Sequence, residues 1–233
     1  MPGTLYIVAT PIGNLEDVTL RAIRILGEVE AIVCEDTRTT AKLLAHHEIR
    51  TPLVALYGRS GGSVLDRLRA GGSVALVSES GTPGISDPGA DLVAAAHAEG
   101  IAVRVIPGPC AAAAAASASG LPADRFLFEG FLPRKPGKRR RVLESLARET
   151  RTLIFYESPH RIAATLEAMR DTLGDRKVAV ARELTKVFEE IRPTTLSAAL
   201  ADLKKRPPRG EYVLVVAGAP KVRRRRPSSS EEE

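Results

Sequence analysis

Apolar residues fall into two kinds of pattern along this chain. Strand-length apolar runs at Thr4–Thr10, Ala31–Glu35, Leu53–Leu56, Val74–Ser78 and Ala102–Ile106 alternate with helix-like stretches beginning near Thr19, Thr39, Ser63 and Ala90. That β-α rhythm predicts a mainly parallel sheet with helices on its faces, its right-handed crossovers bringing the loops after the strands to one edge. Pro107-Gly108-Pro109 stops the fifth strand, and Cys110 to Ser119 is almost all Ala, the best helix former and small enough to lie close to a neighbour or ligand. Gly120-Leu121-Pro122 reads as a hinge. Beyond it, Phe126–Phe131, Leu153–Tyr156, Val178–Arg182 and Glu211–Val216 read as strands, and Lys138–Glu149, Arg161–Leu173 and Leu196–Lys204 as helices. The expected division is an α/β lobe over 1–119, a mixed-sheet α+β lobe over 120–220, and a disordered charged tail over 221–233, with a ligand cleft between the lobes.

Composition narrows the class. A chain of 233 residues with 44% apolar content suits a globular protein of one large or two small cores. No run approaches the ~18 apolar residues of a membrane span, and no basic-then-apolar leader opens the chain, so the cytosol is the expected location. Cys34 and Cys110 are the only cysteines, with no metal-ligand spacing around them, and both are expected to be reduced and buried. The net charge of +6 points to a polyanionic partner, although the tail supplies part of it. More telling is Arg134-Lys135-Pro136-Gly137-Lys138-Arg139-Arg140-Arg141, six cations in eight residues beside Phe126, Phe128 and Phe131. Solvated charge is the plain reading of such a run; a grip on RNA is the functional one.

Chemistry concentrates in loops. The chain lacks GxxxxGK[ST], HExxH, GxSxG and the ordinary GxGxxG turn, which lowers the standing of kinases, zinc and serine hydrolases and nicotinamide enzymes. What remains is a set of site-like loops after strands: Thr10–Asn14, Glu35–Arg38, Ser78–Gly89, Pro107–Ala111, Tyr156–Arg161 and Ala181–Lys186. The third is the richest in Gly, Pro and Ser, where backbone can approach a ligand that a Cβ would block.

At these residues the chain resembles the bacterial ribosomal RNA small-subunit methyltransferase I family, within the tetrapyrrole-methylase-like superfamily. The resemblance rests on LYIVATPIGNLEDVTLRA, CEDTRTTAKLL, VALVSESGTPGISDPGADLV, IPGPCAAAAAASASGLPADRFLFEGFLPRK, TLIFYESPHR, ARELTKVFEE and RGEYVLVV, nearly everything from Leu5 to Val216. It implies a two-lobed α/β fold and S-adenosylmethionine-dependent methylation of a cytidine 2′-hydroxyl in 16S rRNA, by a homodimer. Carried over to this chain, the cofactor contacts are Pro11, Ser80, Gly81, Thr82, Ile85, Cys110, Ala111, Glu157 and Leu184. Three positions depart from the family pattern: Glu79 and Ser80 stand where Asp and Ala are more frequent, and Cys110 where Ser or Thr is usual. The loop from Tyr57 to Ser63 is shortened and lacks the usual His and Asn.

Transfer to a hydroxyl needs alignment and a proton acceptor. The leading catalytic candidates are Glu183 and Lys186 of ARELTK, with Glu157, His160 and Asp36 behind them. Each has a plainer role open to it, since His160 can cap a helix and Asp36 can pair with Arg38. RNA contacts are assigned to Arg134, Lys135, Lys138, Arg139 and Arg140 of the basic cluster and to Arg161 of ESPHR. The competing readings are a methyltransferase for a tetrapyrrole or other small molecule, and a non-catalytic rRNA-binding assembly protein.

Overall fold

The computed structural model describes residues 2–56 and 60–220; the predicted disordered tail 221–233 and the Tyr57–Arg59 part of the shortened loop lie outside them. Strands β1 (Thr4–Val8), β2 (Ala31–Cys34), β3 (Leu53–Ala55), β4 (Val74–Val77) and β5 (Ala102–Ile106) form one sheet. Their order is β3-β2-β4-β1-β5, and every pairing is parallel. Both faces are covered, so β2 and β4 are buried at every position, which is why they read as unbroken apolar runs. Helix α1 (Leu20–Glu28) opens with Thr19 Oγ1 accepting the Ala22 N–H at 3.0 Å, and α2 (Thr37–His46) with Asp36 Oδ1 accepting the Arg38 N–H at 2.8 Å. Ile25 and Leu26 of α1 pack with Ile32 and Val77 on one face. On the other, Leu5 and Leu76 meet Val64 and Leu68 of α3 (Ser60–Arg69) and Ala96 of α4 (Ala90–Ala98).

The second sheet contains β6 (Phe126–Phe131), β7 (Thr152–Glu157), β8 (Lys177–Arg182), β9 (Glu190–Thr195) and β10 (Tyr212–Val216), in the order β6-β7-β10-β8-β9. It is mixed, since β6 and β7 run parallel and the other pairs antiparallel. Helices α6 (Pro136–Leu146), α7 (Ile162–Leu173) and α8 (Leu196–Lys205) cover one face with Leu143, Leu166, Met169 and Leu196 against Phe155 and Leu214. The opposite face receives α5 (Ala111–Ala118), whose Ala112, Ala115 and Ala116 lie on Ile154, Ala179, Val213 and Val215. Thus the helix leaving the last strand of the first sheet packs on the second, and its Ala side chains let it approach closely. Strand β9 is not among the strands that the apolar pattern predicts. It is an edge strand, half-exposed and interrupted by Pro193, which an edge tolerates and an apolar pattern does not reveal.

Candidate active site

In the first sheet β4, β1 and β5 are neighbours, so the loops leaving their carboxyl ends lie side by side. Thr10 and Gly81 exchange both main-chain hydrogen bonds, at 2.9 and 3.1 Å. Thr10 Oγ1 donates to the Ser78 carbonyl at 3.1 Å, and Ser78 Oγ to the Gly81 carbonyl at 3.0 Å. From the next residue, Thr82 Oγ1 donates to the Pro109 carbonyl at 3.0 Å. Three loops are thereby fastened into one wall. Gly81 carries a φ of 85°, a left-handed conformation that favours glycine, and a Cβ there would stand close to Ile12 Cγ2, at 3.3 Å.

Across from this wall, the carboxyl end of β7 and the loops beside β8 and β10 complete a cavity of about 410 Å³ between the two sheets. The lobes come close where β6 bulges at Gly130, whose φ of 71° and missing side chain leave room for Ser86 Oγ; a Cβ would lie 2.6 Å from it. Tyr156 OH accepts the Ala112 N–H at 3.0 Å, joining β7 to the first turn of α5. Phe128 and Phe131 pack edge-on against its ring at centroid separations of 4.9 and 5.6 Å, and burial pushes the Tyr156 phenol well above its ordinary range.

Ser80, Gly81, Thr82, Ile85, Cys110, Ala111, Glu157 and Leu184 all line this cavity. Pro11 does not: the β1 loop turns its neighbour Ile12 to the wall instead, where it joins the apolar cluster around α5. Cys110 is half-buried rather than buried, because it is the N-cap of α5 at the cavity edge, and its thiol makes no capping bond. Leu184 reaches the wall between two left-handed residues, Glu183 (φ 49°) and Thr185 (φ 65°). No pattern in the chain announces that turn. Ser86, Asp87, Phe131, Tyr156 and Glu211 also face the cavity and were not assigned from the sequence.

The two leading catalytic candidates do not line the cavity. Lys186 Nζ lies 2.9 Å from Glu183 Oε1 and 2.8 Å from Glu211 Oε2, and the Glu211 N–H donates to Glu183 Oε1 at 3.0 Å. Burial opposes ionisation of Glu183, yet the Lys186 ammonium and the Glu211 amide outweigh it and hold the carboxyl below its usual range. Burial likewise opposes the charge on Lys186, but its two carboxylates keep it protonated further into the alkaline range. Neither is a free base. Asp36 caps α2 and pairs with Arg38 at 3.0 Å, while His160 is exposed.

The basic segment also divides. Arg134, Lys135, Lys138 and Arg140 are exposed, with Arg140 paired to Glu144 at 2.8 Å, but Arg139 is only 9% exposed. It shares the buried stripe of α6 with Leu143 and Leu146, a spacing of four and seven residues that carries it inward. Arg161 is likewise not an outward-facing cation. It donates to the Leu132 carbonyl and stands 3.3 Å from Glu157, whose side chain is fully buried.

A family profile described as Tetrapyrrole (Corrin/Porphyrin) Methylases matches residues 4–200. Two proteins named Ribosomal RNA small subunit methyltransferase I are close relatives. That of Synechocystis sp. is 51% identical over 99% of this chain and 84% of its own length. That of Thermotoga maritima is 46% identical over 93% of this chain and 99% of its own. Among solved structures, a cobalt precorrin-4 methyltransferase superposes with a TM-score of 0.68 at 19% identity, covering 92% of this chain and 94% of that one. Diphthine synthase gives a TM-score of 0.68 at 15% identity, covering 92% and 90%. These similarities extend through both sheets and all the cavity-lining loops, and the chain belongs to the tetrapyrrole methylase family, in its ribosomal RNA small subunit methyltransferase I branch.

Proposed function

We propose that this protein is an S-adenosylmethionine-dependent methyltransferase that methylates the 2′-hydroxyl of a cytidine in 16S rRNA of the small ribosomal subunit. The observation that carries the reading is identity of about one residue in two, over more than nine-tenths of this chain, with proteins named Ribosomal RNA small subunit methyltransferase I. The site residues lend it support, because the positions expected to hold the cofactor converge, Pro11 apart, on one cavity.

The methyl donor is S-adenosylmethionine, and the cavity suits it. A space of about 410 Å³ is within the range of small-molecule sites. Ile12, Ile85, Leu184 and Val213 supply apolar wall for a nucleoside. Gly81 and Ala111 leave main-chain groups within reach, and the first turn of α5, where Cys110 makes no capping bond and Tyr156 OH takes the Ala112 N–H, places the positive end of the helix at the cavity edge. When bound, the cofactor supplies an electrophilic methyl carbon on a sulfonium leaving group. The chain's own residues then hold the two reactants in line and close the cavity to water, a contribution of about 7–11 kcal/mol in favourable cases.

The RNA approaches over the second lobe, where Arg134, Lys135, Lys138 and Arg140 are exposed on and beside the first turns of α6. The working form is a homodimer. The enzyme acts in the cytoplasm; among the described residues no helix is long and apolar enough to cross a membrane. Transfer of radiolabelled methyl from S-adenosylmethionine to purified small subunits, compared with naked 16S rRNA and a porphyrinoid, tests the reading. Label in RNA is expected. Label in the porphyrinoid alone would select the tetrapyrrole reading, and none in any acceptor the non-catalytic one.

A further inference from the structure

Ribose methylation asks more of the protein than a path for phosphates, because the target nucleotide has to be held with its 2′-hydroxyl at the cavity. The exposed cations on and beside α6 supply only the phosphate path. Strands β6 and β7 run parallel, and Phe131 and Tyr156 are register partners at their carboxyl ends, beside the cavity. Phe131 lines that cavity and is nevertheless 53% exposed. The neighbouring phenylalanines of the strand differ from it. Phe128 is half-buried in the apolar cluster around α5, and Phe126 pairs with Thr152 at the opposite end of the strand.

The Phe131 ring stands on a fixed support. Tyr156, against which it packs edge-on at 5.6 Å, is itself held by its hydroxyl, which accepts the Ala112 N–H. Leu132 follows, buried and with its carbonyl taken by Arg161, so the chain leaves the ring at an anchored point. Two residues further on, exposed Arg134 and Lys135 begin the basic segment. Phe131 is therefore the residue at which the basic surface and the cavity meet. An aromatic ring left open to water forgoes the burial that usually stabilises it. Beside cations it suits a nucleotide, whose base stacks on the ring while the cations take the phosphates.

Resting on the ribose-methylating reading above, we propose that Phe131 is the stacking platform for the base of the nucleotide being methylated, and so sets its ribose at the cavity mouth. The contact holds the nucleotide without reading which base it carries, because every base presents a π-face. The cofactor keeps its own apolar wall of Ile12, Ile85, Leu184 and Val213, which does not need Phe131 to complete it.

The test is a substitution series at Phe131 in the full chain, read by binding to purified small subunits that lack the modification and by single-turnover methyl transfer to them. Phe131→Leu and Phe131→Ala should each weaken subunit binding by about tenfold or more, while Phe131→Tyr and Phe131→Trp stay within about threefold of the wild type. Leucine is the decisive member, since it keeps apolar bulk and loses the π-face. Its salt slope should match the wild type, because stacking releases no counterions. At saturating protein its transfer rate should also fall about tenfold or more, because an unstacked nucleotide is out of line. S-adenosylmethionine affinity measured by calorimetry should stay within about threefold, and the sedimentation coefficient of the free protein should not change. A Phe131→Leu protein that binds subunits as tightly as the wild type would overturn the proposal. So would an unchanged rate at saturation, which would put the ring on a nucleotide other than the target. A parallel loss of cofactor affinity would make Phe131 part of the cofactor wall, and an altered sedimentation coefficient would make it part of a contact between copies of this chain; either overturns the proposal too. The binding series needs no turnover, so a wild-type protein that shows it while transferring no methyl to RNA would instead remove the functional reading.

Discussion

Removing the Arg161 side chain is expected to destabilise the protein and leave its electrostatic hold on RNA largely intact. Glu157, at the end of β7, has a side chain with no solvent exposure, and Arg161, 22% exposed, is the cation beside it at 3.3 Å. In Arg161→Ala the carboxylate keeps the Ser158 N–H and the Thr165 hydroxyl but loses its counter-charge. Breaking a buried pair in this way costs about 3–5 kcal/mol. Because solvent can reach the vacated guanidinium position, the lower end applies. The variant also loses the bond to the Leu132 carbonyl, which anchors the connection between β6 and the basic start of α6. For a chain of this size, about 3 kcal/mol lowers Tm by about 6–12 °C. Calorimetric melting of Arg161→Ala and of the exposed control Arg134→Ala, each paired with RNA affinity measured against salt concentration, reads both properties. Arg161→Ala should melt early with an unchanged salt slope. Arg134→Ala should melt normally, bind RNA more weakly and have a slope smaller by about one. The double variant Glu157→Gln/Arg161→Met should recover much of the loss, since neither charge is then buried alone. An Arg161→Ala protein with wild-type Tm and a flattened salt slope would refute this assignment and restore Arg161 as a phosphate contact.

Two further outcomes follow from the cavity walls. Gly130→Ala places a Cβ 2.6 Å from Ser86 Oγ on a backbone with φ 71°, so it should destabilise by more than about 1 kcal/mol in denaturant titration and weaken cofactor binding measured by calorimetry. Lys186→Met should flatten both ends of the stability–pH curve. The lowered Glu183 carboxyl stabilises the fold above the ordinary carboxylate range and loses that contribution as pH falls through its folded value; the raised Lys186 ammonium stabilises it below the ordinary lysine range and loses that as pH rises through its folded value. Unchanged limbs in equilibrium unfolding of Lys186→Met across pH would show that the network contributes nothing.

Much of the architecture was legible because burial and chain pattern coincide. Strands β2 and β4 are covered on both faces and read as apolar runs, and Pro107-Gly108-Pro109 marks the end of β5 at its true position. Strand β9 escaped notice because a half-exposed edge selects no apolar side chains and accepts Pro193. The cavity was legible where small residues after strands mark a close backbone approach, as at Ser80–Thr82 and Cys110–Ala111. It was not legible where tertiary context decides. The left-handed residues around Leu184 have no counterpart in the chain pattern, and the engagement of Lys186 by two carboxylates depends on Glu211, twenty-five residues beyond the lysine. Arg139 stood within reach of sequence reasoning, since its spacing to Leu143 and Leu146 sets the helix phase, but the charge density of the cluster hid that phase.

The cavity between the two sheets is proposed to direct a methyl group onto a ribose oxygen of small-subunit rRNA. Nuclease digestion and mass spectrometry of 16S rRNA, after small subunits lacking the modification are incubated with the purified protein and S-adenosylmethionine, test it most directly. One new 2′-O-methylcytidine per subunit is expected, appearing with the wild-type protein and S-adenosylmethionine together and with neither alone. Methyl groups found on a nucleobase, or rRNA left unmodified under conditions where the protein binds the cofactor, would contradict it.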